Sequence, residues 1–347
     1  MKFSTKKLLF FLIFAAVVVA SFVIWAGSAQ AAISFVGSAE NSAISNGDIT
    51  LTLPATEVND LVVVTYACGD ADAVDLAMTV LTPASTFTEV ADLFSDDTFE
   101  TNLGMYWDIT DDSYTQVIVD GVGGTDTACA AVAMVFRGVD TTTPMDVTPT
   151  TASGANQGTM HPNPPSLNHN NPSGIWTVIA GASGHGLDTG AGTYTFPTGY
   201  TTNALEDGEI DTSDITVGMG YRSSGVSDPE DPGTMTHSGT DSTSYSWAAV
   251  TMALRPKTIP TVTTNAASVL GPASANLNGE ITDTGVGNAT ARGFGWGTSE
   301  VDTSTTTESG SFGAEAFTQS LINLLSNKTY YFRAYATNSA GTGYGTI

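Results

Sequence analysis

The sequence predicts an all-β protein, and three observations predict it. Beyond the N-terminal segment Thr, Val, Gly, Ser and Asp dominate, while Lys, Glu and Leu are scarce. No stretch of about a dozen residues carries apolar side chains at the 3.6-residue period of a helix. Short alternating runs recur instead, bounded by the turn formers Gly, Asp, Asn and Pro.

The N-terminal segment stands apart from this pattern. Lys2, Lys6 and Lys7 precede an apolar run from Leu8 to Ala26 broken only by Ser21, and Ala29-Gln30-Ala31 follows. A basic start, an apolar run and an A-x-A site make residues 1–32 a secretory signal peptide. The run is also long enough to serve as an uncleaved anchor. This segment is the one membrane contact the sequence offers.

Export sharpens the charge. The chain carries 10 Lys+Arg against 35 Asp+Glu, and the leader removes three lysines and no acid. Seven basic residues then face 35 acidic ones, a net charge of −28. Nucleic-acid binding needs clustered Lys and Arg to displace counterions, so it is excluded. Acidity of this kind suits solubility and cation-rich surroundings.

The stretch "ALRPKTIPTVTTN" (253–265) places Pro256 and Pro260 between two strand-rich regions. Proline interrupts strand ladders and favours extended linkers. The expected division is 33–256 and 257–347. The first region holds about a dozen strand candidates, among them "DLVVVTYA" (60–67), "LGMYWDI" (103–109), "ACAAVAMVF" (128–136), "GIWTVIAGA" (174–182) and "SYSWAAVTMAL" (244–254). Several are apolar on both faces, as where sheets pack face to face. One large jelly-roll-like β-sandwich is the expected fold. "FRGVDTTTPMDV" (136–147) and "SWAAVTMALRP" (246–256) resemble segments of uncharacterised jelly-roll-like β-sandwich domains of bacterial secreted and phage structural proteins. That resemblance implies no chemistry. Arg137 and Asp140 are expected to form an ion pair across a turn set by Pro144.

The second region runs "SANLNGEI" (274–281), "ARGFGWGTS" (291–299), "AFTQSLINL" (316–324), "NKTYYFRAYATNSAG" (327–341) and "GTGYG" (341–345). It resembles a fibronectin type III domain, with Leu324 six residues before Tyr330 as in that family's tyrosine corner. The resemblance implies a small sandwich of six or seven strands and a tyrosine hydroxyl returned to nearby backbone. Phe332, Ala334 and Ala336 would be core, with Leu277, Ile281, Phe294, Trp296 and Leu321 as partners. The family's strand-B tryptophan is missing near Gly279, and Trp296 is placed to compensate. Tyr331, Arg333 and Tyr335 then fall on the outer face. They are candidate ligand contacts, or else members of a face stiffened by cross-strand aromatic and cation–π contacts.

Cys68 and Cys129 are the two cysteines. In an exported chain such a pair favours a disulfide over a metal or redox site, and no C-x-x-C is present. His161, His169, His185 and His237 show no zinc spacing, and Ser183-Gly184-His185 lacks a nucleophile-elbow pattern. Glu206, Glu209 and Asp211 have the chemistry of a glycosidase carboxylate pair but no defining spacing. Calcium is the expected cofactor, since carboxylates on loops are hard oxygen ligands. Its candidates are Asp70, Asp72 and Asp75; Asp108, Asp111 and Asp112; and Asp228, Glu230 and Asp231. The functional expectation is an adhesive, surface-structural or carbohydrate-attaching protein whose partner is a glycan, a surface polymer or a protein. A secreted polysaccharide-active enzyme and a virion or tail-fibre protein are the alternatives.

Overall fold

The computed structural model describes residues 32–44, 47–69, 79–82, 87–96, 100–111, 115–120, 127–154, 161–170, 174–185, 192–209, 214–223, 228–238 and 246–347. Residues 1–31, which hold the expected signal peptide or anchor, lie outside them. Every regular element among the described residues is a β-strand.

The first eight strands are β1 (Ser34–Ile44), β2 (Ile49–Thr52), β3 (Leu61–Gly69), β4 (Val80–Thr82), β5 (Thr88–Ser95), β6 (Thr101–Ile109), β7 (Gln116–Val119) and β8 (Ala128–Arg137). They form an antiparallel sheet of order β1-β8-β3-β6-β5 and a smaller sheet of order β2-β7-β4. The chain shuttles between the two sheets, which is jelly-roll winding. Ile49, Leu51, Val117 and Val119 of the small sheet cover Val62, Val64 and Tyr66 of the large one.

The next seven strands are β9 (Thr150–Gly154), β10 (Trp176–His185), β11 (Tyr194–Thr195), β12 (Thr201–Glu209), β13 (Asp214–Arg222), β14 (Thr236–His237) and β15 (Ser246–Leu254). Their large sheet runs β9-β15-β10-β13-β12, with β11 and β14 paired above it. This is the first winding repeated, with β9 in the place of β1, β15 of β8, β10 of β3, β13 of β6 and β12 of β5. The place of β2 is taken by residues 161–167. Leu167 exchanges two 2.8 Å backbone bonds with Glu230, and Met235 N–H donates to the Pro162 carbonyl at 2.8 Å.

The equivalence extends to an irregularity. The β5–β6 ladder slips between Glu89 and Ala91, and the β12–β13 ladder slips between Thr202 and Ala204. After each bulge an alanine faces a methionine, Ala91 opposite Met105 and Ala204 opposite Met219. A bulge is a specific device, so its recurrence at one position marks an internal duplication. The residues agree: "AVAMVFR" (131–137) matches "AVTMALR" (249–255), and Val63, Ala67 and Gly69 match Val178, Ala182 and Gly184. The expected jelly-roll order is therefore present, and present twice.

The two large sheets pack against each other about a pseudo-twofold. β1 lies against β12 as β9 lies against β5, and β8 against β13 as β15 against β6. The shared core takes Leu61, Val63, Met134 and Phe136 from one repeat and Val178, Val250, Met252 and Leu254 from the other. Each large sheet is thus covered on both faces. That is why β3 is buried at all nine positions and reads as continuous "VVVTYA" rather than as an alternation. Cys68 and Cys129 face each other on β3 and β8 and form the expected disulfide, their Cα atoms 4.1 Å apart.

The remaining strands are β16 (Thr261–Gly271), β17 (Ser274–Asp283), β18 (Ala289–Gly297), β19 (Ser304–Phe312), β20 (Ala316–Ile322), β21 (Tyr331–Asn338) and β22 (Gly341–Tyr344). They form a sandwich of sheets β16-β17-β20 and β19-β18-β21-β22 around Leu277, Ile281, Phe294, Phe317, Leu321, Ala334 and Ala336. A Cβ on Gly279 would stand 2.7 Å from the Ala334 Cβ and 3.0 Å from the Phe317 ring. The sheets close too tightly there for a tryptophan, and Trp296 packs on the core beside Tyr330, with ring centroids 6.0 Å apart. Backbone partners change over at the proline-flanked joint. Lys257 N–H donates to Gly138 at 2.8 Å, whereas the Thr258 carbonyl accepts from Val286 N–H at 3.1 Å.

Candidate functional site

The outer face of the four-stranded sheet holds the three predicted contact residues. On β18 the register sets Gly297, Gly295 and Gly293 opposite Tyr331, Arg333 and Tyr335. The glycines leave a trough, and neighbouring side chains fill it. Tyr335 crosses it to β19, donating to the Thr306 carbonyl at 3.0 Å and meeting the Thr307 hydroxyl at 2.6 Å. Asp302 lies over Gly295 and takes Arg333 Nε at 2.7 Å, while the guanidinium sits 4.1 Å above the Tyr344 ring. Arg333 and Tyr335 therefore spend their polar atoms on the sheet itself. Tyr331 lies beyond the trough, at an opening on the end of the sandwich.

That opening is a cavity of about 360 Å³ between the β16–β17 turn and residues 324–332. Leu277, Leu321, Leu324, Trp296 and Phe332 form its apolar wall, and Tyr330 and Lys328 reach it from the loop before β21. Tyr330 was expected within the strand with its hydroxyl buried. The strand starts at Tyr331, and Tyr330 is half-buried. Its hydroxyl does return to backbone, accepting the Leu325 N–H at 2.9 Å. Because Leu325 is itself exposed, that bond sits at the rim rather than in the core.

The acidic candidates disperse. Asp70, Asp72, Asp75, Asp112 and Asp211 lie outside the described residues, as do the side chains of Glu206, Glu209 and His185. Asp108 lies half-buried one residue before the end of β6, and Asp111 is exposed beyond the strand. Glu230 is withdrawn from any cation site, for it is fully buried and accepts from Arg222 at 2.9 Å and from the Tyr200 hydroxyl at 2.8 Å. A buried carboxylate needs this pairing to offset its desolvation. Burial, and then the Glu230 carboxylate, pushes the Tyr200 hydroxyl well above its ordinary pKa. Asp228 is occupied too, accepting the His169 backbone N–H at 3.1 Å, while Asp231 is exposed. Among the described residues no three His, Cys, Asp or Glu side chains converge as a metal site would require.

The Arg137–Asp140 pair does not form. Arg137 grips Asp60 with two 2.8 Å bonds and Glu57 at 2.9 Å. Asp60 precedes β3, whose Leu61 is registered with Phe136, so the ladder brings it beside Arg137. Asp140 caps its own turn, accepting Thr142 N–H at 2.8 Å and Thr143 N–H at 3.2 Å. An aspartate reaches backbone two residues on more readily than it reaches back to a side chain on the strand.

A polar chain that the sequence did not announce lies under the β11–β14 cover. Ser183 Oγ meets the Tyr194 hydroxyl at 2.5 Å, and that hydroxyl reaches the Thr216 carbonyl at 3.2 Å. Thr216 Oγ1 lies 3.0 Å from His237 Nε2, and His161 Nδ1 accepts the His237 backbone N–H at 3.0 Å. Ser183 is fully buried with a tyrosine for its partner, so it is built as a tie and not as a nucleophile. Only "SGH" stood out in the sequence, because the pairing of β10 with β13 brings Ser183 beside Thr216 and the pairing of β11 with β14 brings Tyr194 beside His237. His169 is 7 % exposed, and neither ring nitrogen has a hydrogen-bond partner among the described residues.

No protein-family model matches the chain, and no curated protein matches it. Among solved structures it is similar to domains A168-A170 of titin, at 11 % identity, 91 % coverage of this chain, 96 % of that one and a TM-score of 0.21. It is similar also to the FN1-FN3 domains of chicken CNTN1, at 12 % identity, 91 % and 96 % coverage and a TM-score of 0.19. Superpositions this loose carry no argument. The class of protein, a modular antiparallel β protein, rests on the strand pairing.

Proposed function

We propose that the chain is an exported, surface-associated β protein with a structural or adhesive role, attaching to a glycan, another surface polymer or a protein partner. Repetition is the observation that carries this reading. One jelly roll is used twice, back to back, and a third sandwich follows it. That build supplies spacing and outer surface rather than a deep catalytic cleft. In this reading residues 33–256 are the doubled unit and 257–347 a fibronectin type III-like module. The disulfide supports an oxidising location, since reducing compartments keep thiols free. All five arginines are ion-paired within the protein, which leaves the acidic surface to dominate contact with partners.

The test is a glycan-array screen of the exported chain, with turnover assays on every hit. Binding without turnover is the expected outcome. Hydrolysis of a polysaccharide, abolished by Glu206→Gln or Glu209→Gln with the fold retained, would install the secreted-enzyme alternative instead. Calcium belongs to the same proposal, as a pin for the segments bearing Asp70, Asp72, Asp75, Asp108, Asp111 and Asp112. EDTA should then lower the melting temperature, because a ligand held only by the folded state stabilises it by mass action.

A further inference from the structure

We propose that the cavity at the end of the third sandwich is a binding site for a small apolar carboxylate, of the fatty-acid or aryl-acid class. Its volume of about 360 Å³ is that of a small-molecule site, and its lining has the usual make-up of such sites, an apolar wall with a few polar groups at one side. The wall is Leu277, Leu321, Trp296 and Phe332, and it accepts a hydrocarbon or aryl body. Its polar lining includes Lys328 and Tyr330, with Ser274, Ser326 and Asn327.

Charge selects the head group. Seven cations remain in the exported chain, and the five arginines among them are held by carboxylates. Lys257 is half-buried in the field of Asp60 and Asp140, and burial pushes its amine down. Lys328 is exposed, with no carboxylate partner among the described residues, and it stands at the rim of the cavity. Tyr330 beside it has accepted Leu325 N–H and still has its own proton to donate. An ammonium and a hydroxyl proton on one rim match the two oxygens of a carboxylate.

The same charge argues for a small ligand over an acidic macromolecule. Repulsion from an exported chain of net charge −28 grows with the charge of the partner, so a monovalent acid meets far less of it than an acidic chain does. Leu325 borders the opening at 65 % exposure and extends the apolar approach to it.

This site is independent of the glycan reading, and either can fail alone. The experiment is isothermal titration calorimetry of the whole chain with octanoate, with octanol as the uncharged counterpart and acetate as the head group without a body. Octanoate should bind one to one, octanol more weakly and acetate not at all. Lys328→Glu should weaken octanoate about tenfold, leave octanol unchanged and leave the melting temperature where it was, because the residue is exposed. Equal binding of octanoate and octanol, or octanoate affinity indifferent to Lys328→Glu, would overturn the proposal. So would binding of a peptide ending in a leucine carboxylate where octanoate fails, or a dimer that Lys328→Glu dissolves. Those results would give the cavity to a protein partner or to a second copy.

Discussion

The two jelly-roll repeats share a winding, a bulge and half of a core, yet each fastens its cover differently. The first carries the three-stranded β2-β7-β4 sheet on an apolar bed and ties β3 to β8 through Cys68–Cys129. In the second, the positions equivalent to the two cysteines are Ser183 and Trp247, a registered pair on β10 and β15. The cover there is the short β11–β14 pair, held by Ser183, Tyr194, Thr216, His237 and His161. Strand order thus tolerates an exchange of covalent for polar fastening, provided the face shared with the other repeat stays apolar. The shared face obliges both repeats equally, while each outer face answers only to its own cover.

The largest effect should come from the covalent fastening. Replacing both cysteines by alanine should lower stability by about 4 kcal/mol, since the bridge closes a loop 61 residues apart in sequence and restrains the unfolded chain. Denaturant melts of the double variant measure it. Non-reducing peptide mapping of the parent should first show the Cys68–Cys129 cross-link. Two free thiols in oxidised protein would end the contrast between the repeats.

The shared core sharpens the comparison. Met134 and Met252 occupy equivalent positions and are both fully buried in it. Met134→Ala and Met252→Ala should each cost about 3 kcal/mol through lost transfer energy and a cavity. The two losses should agree within about 1 kcal/mol, because pseudo-twofold neighbours surround both. A difference well beyond that would mean the interface is not the symmetric one the strand contacts describe.

Tyr194→Phe probes the polar fastening. It removes the hydroxyl that joins Ser183 to Thr216, and it leaves a buried serine without its partner. The expected cost is about 2 kcal/mol, that of an unsatisfied buried polar group. Hydrogen exchange should quicken in β11 and β14 while β2 and β7 are unaffected. Equal quickening in both covers would show that the two are fastened as one.

Much of this fold could be read from the sequence. Alternation with turn formers marked the strands, continuous apolar runs marked those covered on both faces, and a lone cysteine pair marked the bridge. The duplication was also legible, in "AVAMVFR" against "AVTMALR", but covers of different length and composition separate the matching segments. The candidate site was less legible, because its partners are brought together by register. Asp60 lies 77 residues from Arg137, and Glu230, itself paired to the Leu167 backbone, meets Arg222 and Tyr200 only in the folded chain. The outward facing of Tyr331, Arg333 and Tyr335 followed from the period of two. That Arg333 and Tyr335 are consumed by Asp302 and Thr306 depends on the glycine trough between their strands.

The smallest effect concerns one hydrogen atom exchanged for a methyl group. Gly154 on β9 faces Trp247, and the equivalent residue Ala43 on β1 faces Cys129. A Cβ on Gly154 would stand 2.7 Å from the Trp247 indole nitrogen, so the ring needs the space that the disulfide leaves to a methyl group. Gly154→Ala should cost about 1 kcal/mol, at the mild end of overpacking, because β9 is an edge strand that can give way. Ala43→Gly should cost about 0.5 kcal/mol, through the added freedom of the unfolded chain alone. The two changes are mirror images at one position of the fold, yet both should destabilise, for unrelated reasons. If Gly154→Ala proved stabilising in denaturant melts, the indole would not lie across β9, and the exchange of cysteine for tryptophan at this position would have to be explained without it.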